Sequence, residues 1–143
     1  MILPDVNVLV YAFRREAAQH EAYAAWLSEL VSGTEELALT ETALTGFLRI
    51  VTNPKIMATP APMPLALRFT DALRAAPRAR SITAGAATWS RLAEWTDGDP
   101  LIRGNLVPDA WLAALAHTHG ARVATADRGF ARFPGLEWFV PVS

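Results

Sequence analysis

Short apolar runs alternate with stretches of helical periodicity along this chain, and that alternation is what most narrows its possible folds. MILPD, ELALT, ARSIT and ARVAT read as short strands, with LEWFV as a brief last one. A helical stretch continues from the first strand through Phe13. QHEAYAAWLSELVSG follows, with Tyr23, Trp26, Leu27 and Leu30 at helical spacing and Gly33 as its stop. ETALTGFLRIVTNP is a helix closed by Asn53-Pro54, and LALRFTDALRA is one opened by Pro64 in its first turn. ATWSRLAEW and VPDAWLAALAHTHG complete the set, the latter apolar on nearly every face, hence buried, and stopped at Gly120. PKIMATPAPMP reads as a loop and TDGDPLIRGN as a turn.

Strands separated by helices pair in parallel, because a parallel neighbour requires a crossover and the helix supplies it. The expected fold class is α/β, with a parallel-stranded central sheet flanked by helices on both faces in three α/β/α layers. The 143 residues are expected to form a single domain, 1–143, with a core large enough to need no metal or disulfide staple.

Composition removes several function classes. With no cysteine there is no thiolate metal site, no disulfide framework and no cysteine nucleophile. Arg14 and Arg15 end the first apolar run well short of the roughly 18 residues that span a bilayer, and no basic segment precedes it as in a signal peptide. A cytoplasmic protein with no membrane partner is expected. The net charge of −1 argues against binding nucleic acid mainly by counterion release. Lys55 is the only lysine among 13 cations, a bias that a GC-rich genome explains as well as phosphate binding does.

The acidic residues carry more information. Asp5 ends the first strand, Glu41 follows the second, Asp127 follows ARVAT, and Asp109 opens the buried helix. In an open parallel sheet, ligands bind in the crevice outside the carboxyl ends of the strands. Each acid also has a structural reading: Asp5 as a helix cap, Glu41 and Asp109 as complements to a helix dipole, Asp127 as the turn in ADRGF. On a helical wheel, however, Glu41 shares a stripe with Leu44, Leu48 and Thr52, and Asp109 shares one with Leu112, Ala113 and Ala116. Both acids are therefore expected to face the packed side, where an unpaired carboxylate is costly. Clustered carboxylates without cations repel one another, and a divalent ion relieves that. An all-oxygen ligand set suits Mg²⁺, with Mn²⁺ as a substitute.

PDVNVLVYAF, TGFLRIVTNP and GNLVPDAWLAALAHTHGARVATADRGFARFPGLEW together resemble the PIN-domain ribonucleases, and more narrowly the VapC-type toxins of bacterial toxin–antitoxin systems. The resemblance runs in order along essentially the whole chain. It implies a Mg²⁺-dependent endoribonuclease in which an acidic cluster holds the metal and a metal-activated water hydrolyses RNA phosphodiester bonds. By motif, Asp5 matches the family's first aspartate, Asp109 its third acid and Asp127 its last. The family's glutamate often lies nearer the FLR segment, where this chain has Gly46; Glu41 takes the role as the sole acid between Glu36 and Asp71. Asn7 resembles the residue that orients Asp5, a role compatible with capping a helix, and Thr125 would hydrogen-bond an acid or pack within its strand. A cognate antitoxin and a homodimeric assembly are the implied partners, beside the RNA substrate.

Other polar residues read as structural: Asp97 and Asp99 as a solvated turn, Asn105 as a turn, His117 and His119 as cations at a helix end. The tryptophans read as core or interface. Two other readings compete. A phosphoaspartyl phosphatase or receiver domain also ends its first strand in aspartate, but it needs a lysine at a later strand end, and Lys55 follows a helix and a proline. A catalytically silent PIN-like interaction module would be marked by loss of one of the acids, and all four candidates are present.

Overall fold

The computed structural model describes residues 1–143. The elements are β1 (Ile2–Pro4), α1 (Val6–Phe13), α2 (His20–Ser32), β2 (Leu37–Leu39), α3 (Glu41–Val51), α4 (Met63–Arg74), β3 (Ala79–Ser81), α5 (Ala86–Gly98), α6 (Val107–Thr118), β4 (Arg122–Ala124) and β5 (Trp138–Phe139). Short 3₁₀ turns cover Gly104–Leu106 and Arg128–Arg132. All pairings are parallel and the sheet order is β3-β2-β1-β4-β5. This is the three-layer α/β/α arrangement that the alternation implied.

β1 sits in the middle, and its side chains alternate between the layers as a strand's must. Leu3 packs with α5 and α6, beside Trp95, Ala113 and Phe130. Ile2 packs on the opposite face with α1 to α4, beside Leu9, Leu27, Phe47 and Leu73. The first of these layers includes four alanines of α6, Ala110, Ala113, Ala114 and Ala116, whose small side chains let that helix lie close to the sheet. Pro4 lacks the N–H that would reach β2, and the registered pairing of β1 with β2 is confined to Ile2↔Leu37. On the other side β1 pairs β4 from Ile2↔Arg122 to Pro4↔Ala124, and Asp5 adds a bond from its N–H to the Ala124 carbonyl at 2.8 Å.

The helix expected to end at Trp95 runs on to Gly98. Trp95 is buried, and its indole N–H donates to the Pro134 carbonyl at 3.2 Å. That anchor lets Thr96, Asp97 and Gly98 continue the helix into what looked like a turn. Asp99 then ends it, accepting the Leu101 N–H and pairing with Arg132 at 3.1 Å, so Asp99 belongs to a turn as expected. Pro64 lies in the first turn of α4. No helix is long and apolar enough to cross a membrane.

Candidate active site

Asp5 stands where β1 gives way to α1, and it does two things at once. Its Oδ1 accepts the Val6 N–H at 2.7 Å, capping α1. Its Oδ2 accepts the Thr125 hydroxyl at 2.8 Å and the Asn7 amide at 3.2 Å. Only 7% of Asp5 is exposed. Burial pushes its carboxyl up, the Thr125 and Val6 bonds pull it down, and the charge of Asp127 adds to the rise.

Asn7 lies one residue inside α1, so the cap is Asp5 and not Asn7. Its amide bridges the ends of the two central strands, donating to Asp5 and, at 3.4 Å, to Thr125 Oγ1, while its own oxygen accepts the Ala126 N–H at 3.2 Å. Thr125 is fully buried and its hydroxyl also accepts the Asp127 N–H at 3.0 Å. Both residues thus hydrogen-bond Asp5 and hold its carboxylate in place. Asp127 is exposed and folds into a tight turn, accepting the Gly129 N–H at 2.8 Å. A side chain at Gly129 would come within 2.9 Å of that carboxylate, which is why glycine occupies the position.

Asp109 sits in the first turn of α6, half-buried, and its carboxyl is pushed up to about 6. Burial is the largest cause, followed by the charges of Asp5 and then Asp127. None of the three aspartates is ion-paired, since the salt bridges of the chain all use other acids. The crevice outside the strand ends therefore collects three mutually repelling carboxylates.

Glu41 is elsewhere. It is exposed and lines a separate groove with Leu39, Arg74 and Ser81, toward β3. The stripe it shares with Leu44 and Leu48 does meet the core, but the first residue of α3 lies beyond the core's edge. The structure corrects the expectation that it faces the packed side beside the other acids. The face of α3 that does meet Asp5 and Asp109 carries Thr42, Thr45, Gly46 and Arg49, in a groove of about 560 Å³ closed by Pro108 and Leu112 of α6. Gly46 lies against Val6, 3.4 Å from where its Cβ would be, so the missing side chain leaves space beside the carboxylates. Sequence reading passed over this face, although Thr42, Thr45, Gly46 and Arg49 stand at helical spacing and mark it.

A larger groove of about 770 Å³, with Arg14, Ile56 and Leu65 on its walls, holds none of these acids. His117 is packed edge-on against Trp95 and His119 bonds the Leu115 carbonyl, so neither histidine joins the site. Asn105 lies exposed in a 3₁₀ turn.

The donor set fits a hard divalent cation: carboxylate oxygens only, lacking a counter-charge, with burial first and neighbouring carboxylates second pushing Asp5 and Asp109 up. No three acidic or histidine side chains converge closely enough to enclose an ion unaided. Asp5 and Asp109, in one groove, would supply one or two ligands and leave the remainder to water and phosphate, the usual way of holding Mg²⁺.

The PIN-domain family model matches residues 2–136. Ribonuclease VapC43 of Mycobacterium tuberculosis is 39% identical over 99% of this chain and 96% of its own length. Ribonuclease VapC33 of the same organism is 34% identical over 99% of both. Among solved structures, VapBC2 from Rickettsia felis, bound to a DNA fragment from its promoter, aligns over 97% of this chain and 98% of its own, with TM-score 0.70 at 21% identity. VapC20 of M. tuberculosis aligns over 99% and 98% with TM-score 0.69 at 16% identity. With the fold, the strand-end aspartates and these relatives in agreement, the chain belongs to the PIN-domain family and, within it, to the VapC ribonucleases.

Proposed function

We propose that the protein is a Mg²⁺-dependent endoribonuclease, the toxin of a type II toxin–antitoxin pair, which hydrolyses RNA phosphodiester bonds in the groove between α3 and α6. The observation that carries this reading is the meeting of Asp5 and Asp109, from distant parts of the chain, in one groove at the strand ends, with Asp127 near enough to raise both. Relatives named as ribonucleases support it.

Asp5 and Asp109 would hold the ion, with Asp127 beside them. The chemistry supplied by Mg²⁺ at this site would be Lewis-acid neutralisation of phosphate charge and a lowered pKa of water. The chain's own contribution is placement. Thr125 and Asn7 aim one oxygen of Asp5 while the Val6 N–H holds the other, so the carboxylate enters the reaction already oriented. Asp109 accepts the charge of its neighbours at the cost of a raised pKa, which makes it the acid most easily neutralised as pH falls. Thr42 lines the opposite wall beside Thr45, whose hydroxyl donates to the Glu41 carbonyl at 2.7 Å, while Ile50, Pro108 and Leu112 give sugar and base an apolar surface. No cysteine is present, and no nucleophilic side chain is needed. A small cognate antitoxin that inserts a segment into the acidic groove would silence it, and the active form is a homodimer in this reading.

The test is incubation of antitoxin-free protein with end-labelled structured RNA, in Mg²⁺ and then in EDTA, beside Asp5→Asn and Asp109→Asn. Cutting that needs Mg²⁺ and vanishes in both variants, with circular dichroism unchanged, supports the reading. Cutting that persists in the variants refutes the site. An intact RNA pool with the wild-type protein favours a silent interaction module.

A further inference from the structure

The groove that holds Asp5 and Asp109 has a single cation on its walls, Arg49 in the last turn of α3. Arg74 and Arg91 are paired within their own helices, with Asp71 and Glu94, each three residues apart. Arg49 has no such neighbour. Positions 45, 46, 52 and 53 are Thr45, Gly46, Thr52 and Asn53, all uncharged, and Arg49 belongs to none of the ion pairs in the chain. Its guanidinium is exposed and shares a groove with two carboxylates without bonding either of them. An unpaired planar fork of donors beside acids that repel polyanions offers the arrangement a phosphate needs.

We infer that Arg49 binds an RNA phosphate next to the one that is cut, and so sets where the strand lies across the acidic groove. The inference rests on the reading that RNA enters this groove. The two ends of the groove then divide the labour: the carboxylate end takes one phosphate through a cation, and the α3 end takes a neighbouring phosphate directly. Arg49 is a substrate-binding residue in this scheme and has no part in bond breaking. A cation in the last turn also complements the α3 dipole, and the variants separate the two roles.

Binding of a short fluorescent single-stranded RNA of mixed sequence is measured by anisotropy in EDTA across a salt series, for wild type, Arg49→Ala, Arg49→Lys and Arg74→Ala. Arg49→Ala should weaken binding about 3- to 10-fold and flatten the slope of log K against log salt by about 0.7. Arg49→Lys keeps the charge, and with it the slope, but recovers only part of the affinity. Arg74→Ala, on the groove beside Glu41, should match wild type. In Mg²⁺ the Arg49→Ala loss should fall on KM, with kcat kept within about twofold. Wild-type affinity and slope in Arg49→Ala, or an equal loss in Arg74→Ala, overturns the inference and leaves Arg49 to the helix dipole or a protein partner. Because binding is read without metal, failure of the wild type to cut RNA would sink the nuclease reading without deciding this one.

Discussion

Thr125 donates its hydroxyl to Asp5 at 2.8 Å across 120 residues of sequence, and the same oxygen accepts the Asp127 N–H at 3.0 Å. One buried side chain thus ties together the ends of the two central strands and two of the three clustered acids.

Thr125→Val keeps the shape and removes both bonds. It leaves a buried carboxylate oxygen and a backbone N–H short of a partner, which should cost about 1–3 kcal/mol in urea denaturation. Mg²⁺-dependent cutting should fall by about 10- to 100-fold, and Thr125→Ser should recover most of it. A valine variant that cuts at the wild-type rate would show that Asp5 needs no orienting hydroxyl.

Asp109 gives the metal-free protein a definite pH dependence. Its folded pKa of about 6 lies above the ordinary 3.8, so the folded state holds the proton more tightly than the unfolded one. The stability from this group is therefore full below about pH 4 and is lost as pH rises through about 6. Asp109→Asn should flatten this decline and raise metal-free stability above neutrality by up to about 1 kcal/mol, screening by water keeping the gain small. Thermal melts in EDTA over the pH series measure it; a decline unchanged in the variant would place its origin elsewhere.

Mg²⁺ should reverse that loss. At 100 times its Kd, an ion that binds only the folded state stabilises it by about 2.7 kcal/mol, or several degrees in Tm. The gain should shrink toward pH 5 as Asp109 takes up a proton, and Asp5→Asn should remove it. Equal Mg²⁺ shifts in wild type and Asp5→Asn would exclude Asp5 as a ligand.

Glu41→Gln should leave cutting within about twofold of wild type, because Glu41 lies on the Arg74 groove away from Asp5 and Asp109. A loss comparable to that of Asp5→Asn would mean that α3 turns or the Glu41 side chain swings when metal and RNA bind.

Gly46→Ala should stabilise the fold by about 0.5–1 kcal/mol, because a glycine in the middle of α3 is costly and the added methyl meets only Val6 at ordinary contact distance. The same methyl narrows the groove, so cutting should not rise with stability. Chemical denaturation and initial rates on one preparation test both halves.

Much of this fold was legible in local pattern. Ile2, Leu3 and Pro4, then Asp5, announce a strand and its end, and a strand end in a parallel sheet has one destination. Asp5 and Asp127 were legible for that reason, and Asp109 through the stripe it shares with Leu112, Ala113 and Ala116 at the start of α6. The extra turn of α5 was not, because Gly98 reads as a stop unless Trp95 is known to be anchored on the Pro134 carbonyl, 39 residues away.

Glu41 shows where local pattern ends. A helical wheel groups Glu41 with Leu44 and Leu48, and Thr42 with Thr45, Gly46 and Arg49, correctly in both cases. It holds no information on which stripe turns toward α6 and which toward β3. That choice belongs to packing: α3 lies between α1 and α4, and the burial of Phe47 and Val51 sets its rotation. The sequence by itself determined the element order, the parallel sheet and three of the acids, since these follow from periodicity and strand ends. Only the tertiary structure decided that Gly46 and Arg49, and not Glu41, face the acidic groove, because a helix's rotation is set by the neighbours it packs against.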